Sequence, residues 1–291
     1  VFGKDVRIDL KGIADKPELT VNDINGEFGS IISMPINGQL VDTDGSEMDY
    51  YIIKNIEQGM KLSHGYNNGD NTWTVLGSEI DSLTIKVSPT LSIENHSLEV
   101  AMYARENDGD LTFTKQSFNL NLQRNKDDID SGGSKNDVPS DESNQNTEML
   151  PPLLSIQPVA AVEDKQFTIS VEASLQDSHT SETTLSYQIS NLPSEMKLNQ
   201  GYYNAETNTW TLTQNQLENL TITPPKHFSG EIKFDLTATA TDANGFFASQ
   251  TASVPITLEP VTDTAKIQNS SRSGLEDQAV PLNLEVGLID T

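Results

Sequence analysis

The chain has 291 residues, no cysteine, and 43 Asp and Glu against 18 Lys and Arg, for a net charge of -25. So acidic a chain argues against partners built on phosphate, nucleic acid and anionic lipid alike, because both require Lys and Arg. The missing cysteines remove disulfides, zinc–thiolate sites and cysteine nucleophiles, and no apolar run of 18 residues exists to span a membrane.

In chain order, residues 1–19 read as the tail of a preceding module, since IDLKGIADKPEL from Ile8 echoes ITLEPVTDTAKI from Ile256. No charged and apolar leader opens the chain, and the pattern breaks off in mid-repeat at its other end, so the expectation is a piece of a longer protein. Residues 20–124 form a first module. Residues 125–150 read as a linker: Asn125 to Met149 is rich in Asp, Ser, Asn and Gly, without apolar periodicity. Residues 151–262 form a second module, and 263–291 begin a third.

Self-comparison supports this division. Met60-Lys61-Leu62 falls on Met196-Lys197-Leu198, Gly65-Tyr66 on Gly201-Tyr202, Asn71-Thr72-Trp73-Thr74 on Asn208-Thr209-Trp210-Thr211, and Leu83-Thr84-Ile85 on Leu220-Thr221-Ile222. Glu276 repeats Glu163 at an interval of 113, whereas Asp177 repeats Asp42 at 135; the excess lies in the linker. Within the second module, Thr184 to Ile189, Thr209 to Leu212, Leu220 to Thr223, Ile232 to Thr241 and Ala252 to Leu258 alternate with the period of half-buried strands, separated by turn residues. No segment carries a helical period. The expected fold is all-β: tandem antiparallel β-sandwich modules of immunoglobulin- or cadherin-like Greek-key type, joined by short connectors. Trp73 and Trp210 are read as core or turn-packing residues.

The strings Glu163-Asp164, Val41 to Glu47, Asn208 to Leu212, Leu220 to Gly230 and Leu236 to Gly245 together resemble the cadherin-like and Ig-like extender repeats of giant bacterial RTX adhesins, which are exported by type I secretion. The resemblance covers nearly the whole chain except the linker. It implies a long stalk on the bacterial surface, made rigid by Ca2+ at the junctions between modules.

The residues support calcium in part independently. Calcium takes six to eight hard oxygen ligands, and acidic residues recur at equivalent places near the expected module ends. Glu163 and Glu276 open successive modules. Asp42, Asp44 and Glu47 share a loop, with Asp177 and Asp290 matching Asp42. Asp242 and Asn244 lie in a turn matched by Glu106 and Asp108, and Asp15 and Asp263 lie in connectors. The second module departs from the pattern with Asp177-Ser178-His179-Thr180, and the first with Gly26-Glu27-Phe28. The best junction is therefore expected between the second and third modules, from Glu276, Asp263 and Asp242, with a loose joint at the linker.

No enzyme motif is present. His64, His96, His179 and His227 lack metal-binding spacing, and there is no phosphate loop, dinucleotide fingerprint, nucleophile elbow or GGxGxD nonapeptide. The expectation is a non-enzymatic, secreted, cell-surface adhesin segment that supports adhesion and biofilm formation. Its partners are neighbouring modules of the same chain and a host-cell or biofilm-matrix ligand, with no nucleic acid and no membrane insertion. Two alternatives stand beside it: a module that itself binds a peptide, glycan or receptor, favoured by the divergent Tyr50-Tyr51 and Tyr103, and an accessory sandwich of a secreted hydrolase.

Overall fold

The computed structural model describes residues 11–42, 44–124, 149–176, 182–262, 266–268, 273–279 and 285–287. Asp177, Asp263, Asp290 and the linker expectation lie outside them.

The first module contains β1 (Glu18–Thr20), β2 (Ile24–Glu27), β3 (Ile31–Ser33), β4 (Asn37–Gln39), β5 (Glu47–Lys54), β6 (Met60–Leu62), β7 (Tyr66–Asn67), β8 (Thr72–Leu76), β9 (Thr84–Val87), β10 (Asn95–Glu106) and β11 (Leu111–Gln123). They form a six-stranded sheet ordered β2-β11-β10-β5-β8-β7, a three-stranded sheet β3-β9-β6 and the pair β1-β4. The second module repeats this with β12 (Leu153–Ile156), β13 (Val159–Val162), β14 (Phe167–Thr168), β15 (Val171–Ser174), β16 (Thr184–Ser190), β17 (Lys197–Leu198), β18 (Tyr202–Asn204), β19 (Thr209–Leu212), β20 (Thr221–Thr223), β21 (Gly230–Thr241) and β22 (Phe247–Glu259). Its sheets are ordered β13-β22-β21-β16-β19-β18, β14-β20-β17 and β12-β15. The match is strand for strand. A third copy starts: β23 (Lys266–Gln268) pairs with β24 (Glu285–Gly287), setting Lys266 against Gly287 as Leu153 is set against Ser174.

The recurring motifs are turn chemistry. Asn71 and Asn208, which open the two NTWT strings, adopt φ of 62° and 54°, and Gly65 and Gly201 take 89° and 115°. Left-handed backbone at these points suits Asn and Gly, and it brackets the hairpins β7–β8 and β18–β19. Asp164 and Asp277 both sit at φ 60°, so the opening Glu-Asp turn also repeats.

Each sandwich has its own core. In the first, Tyr51, Ile53, Trp73, Val100 and Met102 of the large sheet pack with Ile32, Leu62 and Ile85 of the small one. In the second, Tyr187, Ile189, Phe234 and Leu236 meet Leu198 and Ile222. Full burial of each such side chain stabilises by about 1.5–3 kcal/mol, so neither module needs the other to close its core.

Four expectations change. The first strand of each large sheet runs parallel to its neighbour: β2 to β11 and β13 to β22. A short helix exists, α1 (Gln214–Glu218), started by a Thr213–Gln216 capping box, and a 3-10 turn occupies the equivalent Gly77–Ser82; five residues are too few to show a period. Leu19 belongs to the first core, so that module starts at Glu18.

The fourth difference is the largest: the two modules pack directly against one another. The outer faces of the two six-stranded sheets lie against one another. Tyr50, Ile52, Ala101 and Tyr103, whose side chains point away from the first core, form a separate buried cluster with Leu111 and Phe113 of the same module and Tyr202 of the second. Strand β5 is accordingly buried on both faces over Tyr50 to Ile53, as strands covered on both sides are.

Candidate functional site

The first gathering of predicted residues is the hairpin end of the first module. Glu47 on β5 and Glu106 on β10 are cross-strand partners. The connector before β1 lays its backbone across them: Gly12 N donates to Asp108 Oδ2 at 3.0 Å, Ala14 N to Asp110 Oδ2 at 2.8 Å and Asp15 N to Glu47 Oε1 at 2.8 Å. Glu106 is only 7% exposed and accepts from Ser46 Oγ at 3.4 Å, while Glu47 Oε2 is buried without a partner. Gly12 passes so close that a Cβ there would meet the Glu106 carboxylate. Asp42 and Asp44 shape the neighbouring loop by capping backbone N–H groups of Asp44 and Ser46. Hydrogen bonds from the Ser46 side chain and backbone hold the Asp44 carboxyl below its ordinary value. Asp110, which the sequence reading passed over, belongs to this group; its signal is the Asp108-x-Asp110 spacing on the hairpin turn.

At the opposite end of the second module Glu163 is 2% exposed. Its Oε1 accepts from Val261 N in the outgoing connector, and its Oε2 has no partner. Glu276 sits exposed in the equivalent turn of the third copy. Asp242 and Asn244 do not join them. They occupy the hairpin turn before β22, whereas Glu163 lies beside Glu259 at its far end. Thirteen strand residues separate the two positions by roughly 40 Å. Asp242 Oδ1 caps the N–H groups of Asn244 and Phe246, and Asn244 Oδ1 accepts from Lys86 Nζ of the first module at 3.0 Å. The expected union of Asp242 with Glu276 is therefore corrected: Asp242 faces the first module, not the third. Among the described residues, no three carboxylate or imidazole groups stand close enough to hold a metal as they lie.

The second gathering is the seam between the modules. Tyr50 stacks on Tyr103 at 5.0 Å and donates its hydroxyl to Tyr203 O at 2.7 Å. Burial pushes both phenols well above the usual tyrosine range. Thr74 Oγ1 donates to Thr211 Oγ1 at 2.9 Å, which donates in turn to Asn68 Oδ1 at 2.7 Å; Ser186 Oγ donates to Asn67 O. Lys115 reaches Glu206 at 2.6 Å and Glu99 at 3.6 Å, and Lys54 bridges the same two carboxylates. Hydrogen bonds from Lys115 and then Lys54 hold the Glu206 carboxyl below its ordinary value. Arg105 lies over the Trp210 ring at 5.2 Å and donates to Gly201 O. Beside it opens a cavity of about 550 Å3 whose walls come from both modules, among them Asp108, Leu111, Met196, Tyr203 and Trp210. Trp73 is buried in the first core, while its counterpart Trp210 keeps one side toward this cavity.

Residues 149–257, the second module, match the family model of the Bacterial Ig domain. The match covers that module alone; the first module shares its strand order. Solved structures similar to it include the extracellular cadherin domains 1-5 of Protocadherin Gamma B2, at 15% identity over 94% of this chain and 46% of that one with a TM-score of 0.30. Human CDH23 EC21-23 matches at 13% identity over 95% of this chain and 81% of that one, TM-score 0.27. Mouse Cadherin-23 EC22-24 matches at 13% over 88% and 70%, TM-score 0.24. The chain spans about half the length of the protocadherin structures, 46% and 59%. No curated protein matches it, and no helix among the described residues is long and apolar enough to cross a membrane.

Proposed function

We propose that the chain is a non-enzymatic extender segment of a secreted bacterial surface adhesin, stiffened by calcium where one module hands over to the next. The observation that carries this reading is the carboxylate group at the leading end of the first module, set around the incoming connector. Donor chemistry favours a hard cation: Glu47, Glu106, Asp108 and Asp110 supply carboxylate oxygens, and one of them, Glu47 Oε2, is buried and unpartnered. Glu163 offers the same feature beside the outgoing connector. These residues would have to draw closer than they lie to hold the ion, and calcium would then supply a charge that ties connector to module. The connector at residues 11–17 would then be tied to the sandwich through the ion as well as through its backbone hydrogen bonds.

Melting the whole chain in calcium and in chelator tests this. Calcium bound only by the folded state stabilises it by mass action, by about 2.7 kcal/mol at a hundredfold excess over Kd, and so raises the melting temperature. Glu47→Gln with Glu106→Gln abolishes the increment at that end. Equal melting in calcium and chelator overturns the calcium reading.

A second reading, direct binding of a host or matrix ligand, is favoured by the seam cavity, whose volume lies in the usual range for small-molecule sites. A glycan and peptide array decides it; Trp210→Ala should remove any signal seen.

A further inference from the structure

We propose that the paired sheets act as a clasp which opens as one unit under load, lengthening the chain while both modules stay folded. This does not depend on the calcium reading.

The seam is specialised on one side only. Register places Tyr50 and Ile52 of β5 where the second module has Ser186 and Gln188, because Ile53 faces Trp73 as Ile189 faces Trp210. Across the sheet, Tyr103 pairs with Tyr50 as Thr239 pairs with Ser186. At equivalent positions of one repeat, the first module therefore presents aromatic and aliphatic groups and the second presents hydroxyls and an amide. The apolar face belongs to the first module, and its occupant is the outer face of the second.

The contacts are of a kind that parts without breaking a core. The two cores share no residue; the seam has its own small apolar cluster around Tyr50 and Tyr103, and the other groups crossing it are hydroxyls, amides and ion pairs. Once opened, each finds water, and the second module's face becomes the ordinary polar face of an exposed sheet. Inter-domain surfaces of mixed polarity part more readily than obligate ones. Opening also needs slack. Arg124 and Met149 are 25 positions apart in sequence, a reach of about 85 Å when drawn out. Unfolding a module such as Glu18–Gln123 would instead release roughly 350 Å.

The whole chain, held by its two ends and stretched singly, tests the clasp. The native sequence has no cysteine, so Thr74→Cys with Thr211→Cys gives one reversible lock across the seam. Reduced molecules should show a first step well short of a module's release, bounded by the tether's reach plus realignment of two folded bodies. Oxidised molecules should lack that step, and their later module steps should be shortened, because the cross-link takes residues 75–210 out of the loaded path. The proposal is overturned if a module-sized step comes first in reduced molecules, or if the short step survives oxidation. Failure of the two cysteines to cross-link also overturns it, since the strands would then not be paired in solution.

Discussion

Tyr50→Ser replaces the centre of the seam with the residue that the second module uses at the same place. Tyr50 is fully buried, stacked on Tyr103 on one side and covered by Tyr202 and Tyr203 on the other. A Tyr side chain buries some 150–250 Å2; counting half of it against the second module, at about 25 cal/mol per Å2, docking loses about 2 kcal/mol. Loss of the hydroxyl bond to Tyr203 O adds about 1 kcal/mol. The sum moves the open fraction up by roughly a hundredfold. Thiol labelling reads this directly. Ser186→Cys places the one thiol of the chain under the seam, at a position only 4% exposed, so its labelling rate follows opening. Val254→Cys, in the second core, reports unfolding of that module instead. Tyr50→Ser should accelerate labelling at 186 by roughly a hundredfold and leave 254 unchanged. If 186 is no faster, or if both sites accelerate together, the seam does not open as described.

Gly245→Ala should also raise labelling at 186, by about tenfold, because Gly245 has φ 85° and a Cβ there would meet Met60 O of the first module at 2.4 Å. Acid should weaken the pairing. Glu206 is held below its ordinary value of 4.5 by Lys115 and Lys54, so its contribution is present above that value and lost as pH falls through the lowered one; Glu206→Gln should flatten this dependence in the hydrodynamic radius, and an unchanged profile would rule out the ion-pair ring as its source. Trp73→Ala should cost the first module about 3–5 kcal/mol, a fall of more than about 12 °C in calorimetry. Trp210→Ala, at a site already open on one side, should cost the second module less; equal losses would contradict the placement of the cavity.

The tandem sandwich was legible because its signals are local. Asn71 and Asn208 repeat where the backbone must turn left-handed, and the two tryptophans follow them onto equivalent strands. Strands of the second module alternate cleanly, since the second core covers one face and hydroxyls line the other. The seam was written less openly. Tyr50-Tyr51-Ile52-Ile53 and Val100 to Ala104 are unbroken apolar runs, the mark of strands covered on both faces, yet which body covers the second face depends on contacts between residues more than a hundred positions apart. For the candidate ligands, Glu47, Glu106 and Asp108 do gather, because cross-strand register brings them together. Asp242 and Glu163 part company because β22 has a length that no count of carboxylates conveys.

Small-angle scattering of the whole chain in solution tests the paired arrangement most directly. Two sandwiches closed face to face predict a radius of gyration of roughly 20–25 Å, near the value for one compact body of this length. Modules strung end to end across an extended linker would give more than about 30 Å. A value in the lower range that rises on Tyr50→Ser supports the account, and the higher value in the native chain contradicts it.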